Sequence, residues 1–334
     1  MTLRSRIAAV AVHLPERRLA ITDVEEEMAA RNPDLDLPRG LIERFTGVRN
    51  RYVAPPDWEA SDLAVAAAHN LFDQTGLGVG DVDLIVFAAA SGDVLEPATA
   101  HIVAERLGAT CPVFDLKNAC NSVLNAIEIG DTLIRAGSYR RILVACGEAP
   151  TRLLGNTVTS VQDYVESCAA LTMSDVGAAL LLEASDEPGV LAHRMGANSR
   201  AWRASVTPMT TNAEGRLEIG RLKVKPMKML RALADTDFSL ITKLLAENDL
   251  TMDDFALVCV SQISVPYTRQ FCESLGIPDD KVLITVDEHG CANAASIPQQ
   301  LAAASASGRL HGGDLVCLIG LGSGLSFGAV VVRW

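Results

Sequence analysis

Short, nearly unbroken apolar runs alternate with amphipathic stretches along most of the chain. The runs at 84–87 (Leu-Ile-Val-Phe), 141–145, 256–260 and 314–319 have the length and the aliphatic content of strands buried on both faces. From Asn121 onward Val123, Leu124, Ile127, Leu133 and Ile134 fall at helical spacing, which predicts a helix with one buried face. Strand and helix alternate in this way throughout, the signature of α/β units whose mixed sheets are covered by helices on both sides.

The pattern occurs twice. In the first copy a helix leads through Asp73-Gln74-Thr75-Gly76-Leu77 and Asp81-Val82-Asp83 into the strand at 84–87. In the second a helix leads through Glu247-Asn248-Asp249-Leu250 and Asp253-Asp254 into the strand at 256–260. Each strand is followed by a helix ending in Leu-Gly (Leu107-Gly108 and Leu275-Gly276), then a strand, a loop carrying a cysteine (Cys120 and Cys291), a helix and a last strand. This predicts two pseudo-symmetric halves, 1–175 and 176–334, whose cysteine loops face each other across a pseudo-twofold axis.

Composition narrows the function classes. Of 334 residues 49% are hydrophobic and 21% charged, enough apolar material for a sizeable core. A net charge of −12 and a pI near 5.0 argue against sequence-independent binding to nucleic acid or to anionic membrane. Against that background the stretch 216–231 stands out, with Arg216, Arg221, Lys223, Lys225, Lys228 and Arg231 and the single acid Glu218. No apolar stretch reaches the roughly 20 residues of a membrane span. The opening run at 6–12 is too short for a secretion signal and is cut off by His13, Pro15 and Glu16. The eight cysteines form no CxxC and no His/Cys ligand spacing, so neither a metal centre nor a disulfide framework is expected. The expectation is a cytoplasmic protein with reduced thiols.

Cys120 is the candidate nucleophile. The segment 111–120 reads as a strand entering a tight loop, which places the thiol at the start of the following helix. Backbone N–H groups and the helix dipole favour a thiolate there, and a thiolate can attack a thioester and hold the acyl group.

With Phe45-Thr46-Gly47-Val48-Arg49-Asn50-Arg51, Ser61-Asp62-Leu63-Ala64, Asn118-Ala119-Cys120, the stretch from Gly290 to Pro298 and the Gly-rich run from Gly320 to Gly328, the whole chain resembles the β-ketoacyl-acyl carrier protein synthase III family of the thiolase fold. The resemblance implies duplicated βαβαβαββ halves in five layers, α-β-α-β-α, in a homodimer. It implies acyl transfer through acyl-Cys120 with no cofactor beyond a phosphopantetheine-bound donor, on acyl carrier protein or coenzyme A. Ser323 in the Gly-rich turn would supply a backbone N–H to the thioester oxygen, beside the N–H of Cys120.

The departures from the family pattern are as informative. Condensing members carry a His and an Asn that donate hydrogen bonds to the enolate left when malonyl loses CO₂. The matching positions here are Ser261 and Cys291, and a thiol barely donates at all. The Trp and Arg that hold the adenine of coenzyme A are matched by Leu41 and Phe45, which favours a carrier protein as donor. The cations Lys223, Lys225, Lys228 and Arg231 are candidate docking residues for that acidic partner. Glu96 stands where relatives place an apolar gatekeeper, either as a surface acid or against the partner subunit's pocket. His289, two residues before Cys291, is the candidate relocated general base. The expected reaction is therefore transfer to an oxygen, nitrogen or sulfur nucleophile, in polyketide-type metabolism. The alternatives are decarboxylative condensation, or a catalytically weak structural subunit of a heteromeric synthase.

Overall fold

The computed structural model describes residues 3–155 and 157–334. Its first sheet has five strands in the order Arg4–His13, Val176–Ser185, Arg141–Glu148, Leu84–Ala88, Val113–Leu116. The last three run parallel, and the first two pair antiparallel. The second sheet repeats this plan with Val190–Ala197, Ser326–Arg333, Leu315–Gly322 and Leu257–Val260. A parallel bridge between Val258 and Val282 stands where the fifth strand would follow. The duplication expected from the sequence is therefore present in four strands of each sheet, with a single bridge in place of the fifth strand in the second.

The helices Ser122–Arg135 and Ser296–Ala306 each touch both sheets and form the middle layer. Outside them lie the two sheets, and the helices Ala60–Thr75 and Ser239–Ala246 cover the outer faces, one on each sheet. Strands covered on both sides must be apolar on both sides. Val176, Ala178, Ala179, Leu180, Leu181 and Leu182 are accordingly all buried. At Gly147 the outer helix touches the sheet backbone, since an added Cβ would lie 1.7 Å from the carbonyl oxygen of Ala60.

The expected division at 175/176 is displaced. Val176–Ser185 pairs with Arg4–His13 and Arg141–Glu148 in the first sheet, so the halves part at the turn that follows it. A third apolar cluster stands beside the two sheet cores and joins Ile21, Val24, Met28 and Ile42 to Tyr164, Leu171, Val286 and Cys291. It packs the helices Leu41–Thr46 and Val161–Leu171 against each other over the mouth of the site.

Candidate active site

Both middle-layer helices are entered through the loops that carry the two cysteines. In the first loop Asn121 N donates to Asn118 O at 3.0 Å and Ser122 N to Ala119 O at 3.1 Å. Ser122 Oγ donates to Ala119 O at 2.8 Å and accepts from Asn118 N at 2.8 Å. The turn is tight enough to hold Ala119 at φ 49°, a left-handed conformation that costs a non-glycine residue about 1–3 kcal/mol. Cys120 follows, two residues ahead of the helix Ser122–Arg135, as the sequence led one to expect.

Its ionisation departs from that expectation. Burial pushes the Cys120 thiol far above the ordinary range, and Cys291 and Glu148 add to the shift; the thiol's own backbone N–H opposes it only in part. Desolvation thus works against the helix terminus and favours the thiol over the thiolate.

Cys120 opens on a cavity of about 430 Å³, within the range of ligand pockets. Its wall is largely apolar, with Phe45, Val165, Val224, Met229, Leu230 and Ile263. Among the described residues Glu166 is the one formally charged residue that lines it. A concavity of about 520 Å³ near Asp83, Cys111 and Tyr139 lies away from Cys120 and is an open surface cleft.

Two groups beside Cys120 went unnoticed in the sequence. Asn293, held at φ 46°, places Oδ1 3.9 Å from Cys120 Sγ, and its Nδ2 donates to Glu148 Oε2 at 3.3 Å. Glu148 is fully buried and also accepts from Ala90 N at 2.7 Å, Ser91 N at 3.2 Å, Ser91 Oγ at 2.9 Å and Ala294 N at 3.4 Å. Burial raises its pKa against these donors. The signal was there: a carboxylate closing an otherwise apolar strand, and a second Asn in the stretch from Gly290 to Pro298.

The other predicted site residues divide. Ser261 and Ser323 both line the cavity, and Ser261 Oγ accepts from Leu321 N at 3.0 Å. Cys291 is buried behind the cavity wall; its amide donates to Thr172 O at 2.9 Å, and burial pushes its thiol up to about 11. His289 does not reach the cavity, which corrects its expected role as base. Its ring stacks on Tyr52 at 5.6 Å, and among the described residues its buried Nδ1 has no partner. The cause is local. Asp287 and Glu288, on the same short helix, are tied to Arg49, and Glu288 also to Arg18. Gly290, at φ 71° and with no room for a Cβ against Thr172 O, then turns the chain before Cys291.

Lys223, Lys228 and Arg231 are exposed and Lys225 half-buried, on and before the helix Pro226–Ala234. Among the described residues none of the four forms an ion pair, whereas Arg221 pairs with Asp163 at 3.2 Å. Val224, Met229 and Leu230 of the same segment line the cavity, so the cations stand at its rim. Phe45 is 56% exposed at the mouth, and Leu41, on the same helix, is half-buried against the third cluster. Glu96 is exposed on the loop before the helix Thr99–Leu107, next to Leu95, itself 81% exposed. Among the described residues no helix is long and apolar enough to cross a membrane.

Comparison with known proteins agrees with this architecture. The family model described as 3-oxoacyl-[acyl-carrier-protein] synthase III matches residues 114–199, and its C-terminal counterpart matches residues 245–334. A β-ketoacyl-[acyl-carrier-protein] synthase III of Rhizorhabdus wittichii is 31% identical over 300 residues, covering 88% of this chain and 90% of the relative. Among solved structures, FabH of Thermus thermophilus is similar with a TM-score of 0.85 at 26% identity, over 98% of this chain and 99% of that one. OleA of Xanthomonas campestris gives a TM-score of 0.88 at 24% identity over the full length of both, a likeness of fold.

Proposed function

The chain belongs to the β-ketoacyl-acyl carrier protein synthase III family, with its thiolase fold, and on that premise we propose that it moves an acyl group from a thioester donor through acyl-Cys120 to a non-malonyl oxygen, nitrogen or sulfur nucleophile. The observation that carries this reading is the make-up of the cavity around Cys120. A nucleophilic sulfur faces an apolar chamber to which no imidazole among the described residues contributes, and the position of the second enolate donor is a buried thiol. Loss of one such donor typically costs about 10²–10³ in rate, so decarboxylative condensation is disfavoured.

The proton balance needs no histidine. In loading, the bond from the acyl carbon to the donor sulfur breaks, the bond to Cys120 forms, and the Cys120 proton ends on the departing thiol. In discharge, the bond from the acyl carbon to the Cys120 sulfur breaks, the bond to the acceptor atom forms, and the acceptor's proton ends on the Cys120 sulfur. The amides of Cys120 and Ser323 receive the thioester oxygen, and Ser261 braces that turn through Leu321.

The donor is a carrier protein carrying acyl-phosphopantetheine. The free cations at the cavity rim suit an acidic partner, and Phe45 and Leu41 offer adenine no cationic clamp. The strand Val113–Leu116 ends its sheet, and Val94 and Leu95 are exposed on a neighbouring loop, which supports a homodimer built on that edge. The setting is cytoplasmic, polyketide-type metabolism. Intact-protein mass after exposure to acyl-pantetheine and acyl-carrier thioesters tests the reading: the acyl adduct maps to Cys120. Absence of any adduct, or an adduct on another cysteine, contradicts it.

A further inference from the structure

Asn293 lines the cavity beside Cys120 with its amide pinned in one orientation. Glu148, the last residue of its strand, receives five donors: Ala90 N and Ala294 N on Oε1, and Ser91 N, Ser91 Oγ and Asn293 Nδ2 on Oε2. Three of these are backbone amides, which can only donate, and the Ser91 hydroxyl has its own oxygen engaged by Ala149 N at 3.1 Å. Both carboxyl oxygens of Glu148 must therefore accept, and Asn293 must offer them its Nδ2. Its acceptor oxygen Oδ1 is left facing Cys120 Sγ at 3.9 Å, and among the described residues no other donor reaches that oxygen. The residue sits at φ 46°, in the left-handed region that asparagine tolerates better than most.

An oxygen that can only accept, held beside the nucleophile, discriminates between incoming groups. Before acylation it takes the weak S–H donor of Cys120. Once Cys120 is acylated that hydrogen is gone, and Oδ1 has a free lone pair next to the acyl group. We propose that Asn293 Oδ1 then accepts a hydrogen bond from the O–H or N–H of the acceptor and holds its heteroatom against the acyl carbon. A heteroatom about 2.8–3.0 Å from Oδ1 can also stand ~3–3.5 Å from that carbon, the separation from which attack proceeds. An enolate, which brings an electron pair and no hydrogen, is repelled by the same oxygen. As the new bond forms, the bond from the acyl carbon to Sγ breaks and the acceptor's proton passes to Sγ; the amide guides the proton and is itself unchanged. Glu148 is the positioning residue, acting through Asn293. The inference rests on the acyl-Cys120 reading and narrows its acceptor to hydroxyls and amines.

The test pre-loads the enzyme from an acyl-pantetheine thioester and follows loss of the acyl adduct by intact-protein mass near neutral pH. Two small probes are compared: hydroxylamine, which carries N–H and O–H, and azide, an anion with no hydrogen to donate. In Asn293→Ala, discharge by hydroxylamine should slow about tenfold, the scale of one lost hydrogen bond. Discharge by azide should be no slower than in the wild type. In Glu148→Gln the new amide should keep its oxygen toward Ala90 and Ala294 and turn its nitrogen to Asn293, whose own amide then flips and points Nδ2 at the sulfur. That variant should likewise lose rate with hydroxylamine and gain it with azide, which keeps the test decisive if Asn293→Ala folds or loads poorly. Equal slowing with both probes, or no change with either, would overturn the proposal. If the wild type released CO₂ from a malonyl thioester while the hydroxylamine-to-azide ratio still fell in both variants, the acyl-transfer reading would fall and the role of Asn293 would stand.

Discussion

At the scale of single residues, the chemistry turns on the Cys120 sulfur, whose burial favours the thiol over the thiolate. Alkylation of the wild-type enzyme at neutral pH should accordingly be slower at Cys120 than at a free thiol, and should climb with pH through the alkaline range. Cys120→Ala should abolish acyl loading and turnover while leaving the melting temperature within a few degrees, about the effect of a 1 kcal/mol change. His289 is the sharper case. An imidazole stacked on Tyr52 and pushed down by burial and by Arg18 is no base for the cavity. His289→Ala should change the discharge of acyl-Cys120 by less than about threefold, against the 10²–10⁴ expected of a general base; a loss in that range would restore it to the site. Its proximity in sequence to Cys291 misled because side chains two positions apart can point to different surfaces, and Gly290 turns the chain between them. Asn293 and Glu148 escaped notice for a related reason, since only the packed sheets bring residue 148 to residue 293. Glu148→Gln would set an amide N–H among N–H donors, costing about 1–3 kcal/mol in thermal or denaturant unfolding.

At the scale of elements, strands and repeats could be read from sequence and cavity walls could not. The doubly buried strands announce themselves as apolar runs, and the Leu-Gly helix ends recur in both halves because the same turn is built twice. The break between the halves was placed ten residues early because Val176–Ser185 continues the chain as any new strand would. Only its pairing with Arg4–His13 assigns it to the first sheet. The cavity depends on helices Leu41–Thr46, Val161–Leu171 and Pro226–Ala234 meeting over Cys120, contacts between segments far apart in sequence. The last of these helices also carries a testable charge pattern. Lys223→Glu with Lys228→Glu should raise the KM for a carrier-bound donor by up to about tenfold and flatten its salt dependence. A pantetheine thioester, which reaches past the rim, should be unaffected; equal losses with both donors would place the damage in the cavity.

At the scale of the whole molecule, a polar cluster joins the middle layer to both sheets. Asp131, 1% exposed on the helix Ser122–Arg135, accepts from Ser5 of the first sheet at 2.6 Å and from Arg135 at 2.9 Å, and lies 3.2 Å from His193 Nε2 of the second sheet. Burial alone would raise its pKa, but the bonds from His193, Ser5 and Arg135 together hold it below the usual carboxylate value. A depressed carboxylate contributes stability above its unfolded pKa of about 3.9, and that contribution is lost as pH falls through the folded value. Asp131→Asn should therefore lower unfolding stability at neutral pH by about 1–3 kcal/mol, and the gap from the wild type should close below about pH 4. A gap that persists unchanged in acid would mean that packing, not charge, sets the cost.

The reaction type is tested most directly by pre-loading Cys120 with an acyl group and presenting carboxyl-labelled malonyl thioester beside a panel of hydroxyl, amine and thiol acceptors. Released CO₂ and product mass are followed together. On the proposed reading, in which Ser261 and the buried Cys291 take the place of the enolate donors, the acyl group should leave to a heteroatom acceptor with no label released as CO₂. Stoichiometric CO₂ release with a β-ketoacyl product would contradict the account and make the protein a condensing enzyme.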